Sequence, residues 1–126
     1  MGLFQKLLGR HGRSAGRFLA AVTQSSSGAP TLDVIENSLV DAAGAPVTIT
    51  PARTGTGVYT LTAGAACFTT GRTAVKAGNR ARAAALVDVV PTSTTVLTLN
   101  TTNAGNAADG LMTAHVVEVE VYPAAA

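Results

Sequence analysis

The alternation of apolar and polar side chains with a period of two is the feature that most constrains this fold. Between residues 115 and 122, three valines share one parity, and Glu118, Glu120 and Tyr122 share the other. Val58–Ala63 alternates in the same way. Side chains on one face of a β-strand recur at every second residue. These segments are therefore expected to be strands with one buried face.

The rest of the chain beyond residue 30 repeats this theme in short Thr- and Val-rich segments separated by Gly, Pro and Asn. Spacings of about 8–12 residues without helical segments between them are typical of antiparallel sheets. The sequence predicts an all-β fold, an antiparallel β-sandwich or jelly roll of about seven or eight short strands. Arg80–Val90 also has alanines that favour a helix, and we interpret it as a strand. The predicted strands are Thr31–Glu36, Val47–Thr50, Val58–Ala63, Ala66–Thr70, Ala74–Lys76, Arg80–Val90, Thr94–Thr101 and His115–Tyr122.

The N-terminal 22 residues have a different character, with four basic side chains and no acidic one. On a helix the basic residues form one stripe and the apolar residues form another. Gly9, Gly12 and Gly16 weaken this helix by up to about 1 kcal/mol each relative to Ala, so it is expected to order only against a partner. We therefore divide the chain into a basic amphipathic helical arm (1–23), a flexible linker (24–30) and a β-sandwich domain (31–126).

The composition indicates an association-prone domain. The 126 residues suffice for one domain, and 47% of them are hydrophobic, but many of these are alanines. Alanine buries little surface, and burial contributes roughly 25 cal/mol per Å². Only 13% of residues are charged, against a usual share of about 25%. A thin core and a weakly charged surface favour an oligomer or a larger assembly over a monomer.

Charge is distributed unevenly along the chain. The arm carries +4, whereas the remaining residues, with five basic and seven acidic side chains, carry −2. A basic cluster in the body has two interpretations that remain open: charges that keep a sheet edge from pairing, or a contact to acidic residues of another subunit. Nucleic-acid binding is less favoured because no aromatic side chains accompany the cluster. The cluster comprises Arg72, Lys76, Arg80 and Arg82.

Residues with catalytic chemistry are scarce. The two histidines, His11 and His115, lie in different parts of the chain, and no metal-ligand spacing is present. His115 shares the parity of the valine face and not that of Glu118 and Glu120. The single cysteine, Cys67, excludes an internal disulfide and lies in an apolar setting typical of a buried thiol. We expect no enzyme activity, no cofactor and no bound metal.

Four segments of the body resemble small virion proteins of bacteriophages, of the decoration, head-fibre or spike-base kind. They are Pro30–Asn37, Gly55–Thr62, Asp109–Met112 and the closing Val117–Pro123, and the resemblance spans residues 30–123. It implies a non-enzymatic structural protein located in the virion and carries no site residues with it. The partners would be the major capsid protein or other virion proteins.

The arm is the segment that we expect to attach this protein to the particle, with the body forming a homo-oligomer, a trimer or a pentamer. Contact of the arm with a membrane or with nucleic acid is an alternative. Two alternative functions remain open. The chain could be a carbohydrate- or receptor-binding module of a fibre or adhesin, or a membrane-associated coat component. The predicted partner-binding residues are Phe4, Lys6, Leu7, Leu8, Arg10, Arg13, Arg17, Phe18 and Leu19.

Overall fold

The computed structural model describes residues 16–77 and 85–122. Within these residues the chain forms nine β-strands and no helix. The strands are β1 (Gly16–Gln24), β2 (Thr31–Asn37), β3 (Ile49–Gly55), β4 (Val58–Ala63), β5 (Thr73–Ala77), β6 (Ala85–Pro91), β7 (Val96–Asn103), β8 (Asn106–Ala107) and β9 (Met112–Val121).

The strands form two antiparallel sheets. The first sheet has the order β2-β1-β9-β5, and the second has the order β3-β4-β7-β6 with the short β8 paired to β7. All strand pairs are antiparallel. The all-β, antiparallel prediction is thereby confirmed, and the architecture is sandwich-like.

Both sheets supply side chains to one hydrophobic core. Every second residue of the central strands is buried, as the period of two predicts. The first sheet provides Phe18, Ala20, Val22, Val117, Val119 and Val121, and the second provides Tyr59, Leu61, Ala63, Leu97, Leu99 and Val89.

The predicted helix is wrong where the structure describes it, because Gly16–Gln24 is the strand β1. This strand lies inside the first sheet, between β2 and β9. Phe18, Ala20 and Val22 satisfy a period of two as well as part of the helical stripe, and only the strand lets them meet the valines of β9. Tertiary pairing thus decides between two local patterns. The remainder of the predicted arm, residues 1–15, lies outside the described residues.

The segment predicted to be a flexible linker is a loop joining two paired strands. Gln24 ends β1 and is buried, and residues 25–30 connect it to β2. The Gln24 side-chain amide donates to the carbonyl oxygens of Ser26 at 2.5 Å and Gly28 at 3.0 Å. The β body therefore begins no later than Gly16, and residues 24–30 do not separate it from β1.

Among the predicted strands, the clearest departures from the structure are at Ala66–Thr70 and Val47–Thr50. Ala66–Thr70 is not a strand, since Cys67 and Phe68 are both buried and both donate their backbone N–H to the carbonyl oxygen of Thr94. Two consecutive buried residues do not fit the alternation of a strand. The strand at Val47–Thr50 instead runs from Ile49 to Gly55 and continues through Pro51, which is tolerated because β3 lies at a sheet edge.

Substitution of two adjacent β1 residues tests the strand assignment. Phe18 is fully buried, whereas Leu19 is on the opposite face and only partly buried. We expect Phe18→Ala to lower the free energy of unfolding by about 3–5 kcal/mol and Leu19→Ala to lower it much less. Urea denaturation of both variants measures this difference. Equal losses at the two positions would contradict the strand.

Candidate functional site

The structure describes three of the predicted partner-binding residues, Arg17, Phe18 and Leu19, which are consecutive in β1. Phe18 is 0% exposed, so the prediction that it anchors the chain to a partner is wrong, because its ring belongs to the chain's own core. Leu19 lies on the outer face of the first sheet, and Arg17 lies on the same face. The other predicted residues, Phe4, Lys6, Leu7, Leu8, Arg10 and Arg13, lie outside the described residues.

Arg17 is engaged with acidic residues of its own chain. Its Nη2 lies 2.5 Å from Oε2 of Glu118, its Nη1 lies 3.6 Å from Oε1 of Glu36, and its Nε lies 4.0 Å from Oε2 of Glu120. These acids belong to the strands on either side of β1. Arg17 therefore links β2, β1 and β9 on the outer face, where solvent screens these partly exposed ion pairs and keeps their contribution to stability small.

The strand β2 is the most exposed element of the first sheet. It lies at the sheet edge with β1 as its one strand partner among the described residues, and six of its seven residues are exposed. Val34 and Ile35 expose 49% and 58% of their surface. Val34 lies opposite Ala20, a core residue, so it is on the inward face of the sheet. Val34 thus remains half exposed although it is on the inward face. Exposed apolar surface of this kind on an edge strand is a site that another element can cover.

A second exposed feature is an apolar pocket of about 680 Å³ beside Gly16, the first described residue. Leu39, Val40, Phe68 and Tyr122 line it together with Cys67. Burial raises the pKa of the Cys67 thiol to about 11, so the thiol stays protonated at neutral pH. The pocket therefore offers apolar contact and no activated nucleophile at Cys67.

A polar network fixes the opposite end of the first sheet, where Gln24 ends β1. Nη2 of Arg53 lies 2.8 Å from Oδ2 of Asp109, the Tyr59 hydroxyl donates to Oδ1 of Asp109 at 2.5 Å, and the backbone N–H of Gly57 donates to the same oxygen at 2.9 Å. Gln24 Oε1 accepts from the backbone N–H of Gly110 at 2.6 Å and lies 3.0 Å from the Tyr59 hydroxyl. The network ties together three segments that are distant in the sequence.

Gly57 is required in this network. It has a φ of 68°, and a Cβ atom at this position would lie 2.6 Å from the carbonyl oxygen of Thr101. Only glycine accepts both conditions without strain. Two of the segments that carry the virion-protein resemblance, Gly55–Thr62 and Asp109–Met112, meet in this network, where their residues stabilise the fold.

The ionisation of the network follows from its contacts. The hydrogen bond from Arg53, followed by those from Tyr59 and Gly57, holds the pKa of Asp109 well below its usual range. Burial, followed by the hydrogen bond to Asp109, raises the pKa of Tyr59 to about 12. Asp109 is therefore a charged structural residue at neutral pH, and it is not placed to exchange protons in a reaction.

The described residues contain no group of three or more His, Cys, Asp or Glu side chains that could hold a metal ion. His115 is buried on β9 opposite Val22, on the inward face. Its placement on the valine face, away from Glu118 and Glu120, is as predicted. Residues 16–77 and 85–122 contain no helix that is long and apolar enough to cross a membrane.

The exposed edge at β2 was not among the features predicted from the sequence. Leu32, Val34 and Ile35 are apolar in a segment that also contains Asp33 and Glu36, and this mixture already departs from strict alternation. Such a departure is a usable signal, because it is typical of strands that are not covered evenly on one face. The identity of the edge strands depends on the strand order, which the sequence does not reveal.

The pH dependence of stability tests the Asp109 network. Because its pKa is lowered in the folded chain, the carboxylate stabilises the fold above its ordinary pKa of about 4, and this stabilisation is lost as the pH falls below that value. We expect Asp109→Asn to have a lower urea midpoint than the unsubstituted protein at pH 7, and the gap to narrow between pH 4 and pH 2. A gap that stays constant over this range would contradict the assignment.

Comparisons with protein-family models, with curated proteins and with solved structures find no match to this chain.

Proposed function

We propose that this chain is a non-enzymatic structural protein of a bacteriophage virion, a capsid-associated, decoration or vertex protein that works by assembling with other protein subunits. The observation that carries the proposal is the edge strand β2, which exposes Val34 and Ile35 beside the core. Natural edge strands are usually protected by charge, Pro or a covering element. Exposed apolar residues on an edge strand of a small, weakly charged domain favour a subunit whose edge is covered in an assembly.

We infer that the finer architecture is a sandwich and not a jelly roll. Four pairs of strands that are consecutive in the chain pair within one sheet, namely β1/β2, β3/β4, β6/β7 and β7/β8. In a jelly roll most consecutive strands lie in opposite sheets. The strand order therefore supports a sandwich assembled from hairpins.

Attachment to the particle is assigned in this proposal to residues 1–15, ahead of β1. Their basic residues Lys6, Arg10 and Arg13 are accompanied by no acidic residue, and Phe4 and Leu7 add apolar contact area. Arg17, Phe18 and Leu19 are not included, since they belong to β1. The proposed partners are the major capsid protein or other virion proteins, and repeated copies on one particle would add avidity.

A pair of substitutions tests the proposed role of the β2 edge. Ile35 and Leu86 are 58% and 56% exposed, and each lies on an edge strand, β2 in the first sheet and β6 in the second. We expect Ile35→Lys to abolish self-association, measured by native mass spectrometry, and to lower particle occupancy, because the charge blocks the edge. Leu86→Lys, the matched control, is expected to keep both. Equal behaviour of the two variants would contradict the role of β2.

A truncation tests the proposed attachment segment. Removal of residues 2–14 keeps β1 complete, and we expect a circular dichroism spectrum and melting temperature close to those of the full chain, with particle occupancy lost. Removal of residues 2–23 deletes a strand from the middle of the first sheet and is expected to unfold the domain. If the shorter truncation is incorporated at full occupancy, residues 1–15 are not the attachment segment.

A further inference from the structure

We propose that the β2 edge of one copy pairs with the β5 edge of a second copy, so that the first sheet continues from subunit to subunit. This inference rests on the proposed function, since it names the partner of the β2 edge. The two strands are the two edges of the same four-stranded sheet. Contact between different surfaces of identical subunits closes into a ring if the rotation between copies closes.

Strand direction permits this pairing. Neighbouring strands in the order β2-β1-β9-β5 are antiparallel, so with four strands the two edges run in opposite directions. A second copy related by rotation about an axis along the strands therefore presents β5 antiparallel to β2.

The strand β5 also lies near β6 of the second sheet, but the two form no strand pair among the described residues. Antiparallel pairing through edge strands is an established mode of protein association.

The two edges carry opposite charge. The strand β2 contains Asp33 and Glu36 and no basic residue, whereas β5 contains Lys76 and no acidic residue and directly follows Arg72. Neither Asp33 nor Lys76 takes part in the ion pairs formed among the described residues. Both charges are thus available for a partner, and complementary edges select the orientation of association.

One register satisfies both faces of the sheet. Asp33 lies opposite Ala21 and Lys76 lies opposite Glu118, which places both charged side chains on the outer face. If Asp33 is paired with Lys76, then Val34 comes opposite Val75. Val34 lies opposite Ala20 and Val75 lies opposite Val119, so both of these valines are on the inward face.

The same register brings Leu32 opposite Ala77, and these residues are also on the inward face, opposite Val22 and Val117. Charge therefore meets charge on the outer face while apolar residues meet on the inner face. Pairs of side chains directly opposite each other are the units that stabilise a sheet.

Pairing of β2 with a second β2 is less favourable. It would bring Asp33 and Glu36 of both copies onto one outer face, with no basic residue on either strand. Like charges close together across strands are destabilising. The heterologous β2–β5 contact replaces this repulsion by attraction.

Charge reversal tests the pairing in the full chain. We expect Asp33→Lys and Lys76→Glu to weaken self-association by about tenfold or more each, and the double variant D33K/K76E to restore it, as measured by native mass spectrometry over a concentration series. K76E and the double variant both carry a new carboxylate beside Glu118, so any loss of local stability that it causes is present in both. Association that is restored only in the double variant therefore reports the contact between copies. Asp88→Lys, on the edge strand β6 of the second sheet, is the matched control and is expected to leave association unchanged.

The remaining outcomes separate this inference from the proposed function. Loss of association in D33K without rescue by K76E, or no effect of K76E, would overturn the β2–β5 pairing. If Ile35→Lys still abolishes association in that case, the proposed assembly role of β2 stands. An unsubstituted protein that is monomeric at all concentrations and absent from particles would overturn both.

Discussion

The pairing of β1 with β9 is the interaction on which the rest of the structure depends. It joins Gly16 to Val121 and brings the alternating apolar residues of both strands to the inward face of the first sheet. The edge strands β2 and β5 are attached to this central pair. Without it, the two edge strands would not belong to one sheet.

The fold compensates for a core that contains few large side chains. Alanines occupy core positions such as Ala20 and Ala63, and a buried alanine contributes little area. At one end of the first sheet, hydrogen bonds among Tyr59, Asp109 and Gln24 hold the connecting loops in place. On the outer face, Arg17 contacts acids of both neighbouring strands. These polar contacts thus hold the connecting loops and neighbouring strands in positions that a larger apolar core would otherwise fix.

The sequence could predict the elements whose local pattern has one interpretation. The bounds of Val58–Ala63 agree with the prediction. The predicted strand at His115–Tyr122 ends one residue after the end of β9 and begins three residues after its start. Gly16–Gln24 is ambiguous, since its apolar residues satisfy two periods and the outcome depends on valines about a hundred residues away. The Asp109 network and the position of β2 at a sheet edge depend on which segments become neighbours, and the local pattern does not give the strand order.

The arrangement of β1 and β9 also has a consequence for the order of events during synthesis. The first described strand pairs with the last, so their contacts span nearly the whole described chain. Contacts between residues far apart in sequence make folding slow. A chain still emerging from the ribosome lacks β9 and cannot complete its first sheet. The sheet that carries the β2 and β5 edges is therefore completed only after β9 has been made, so the proposed association would have to wait for that strand.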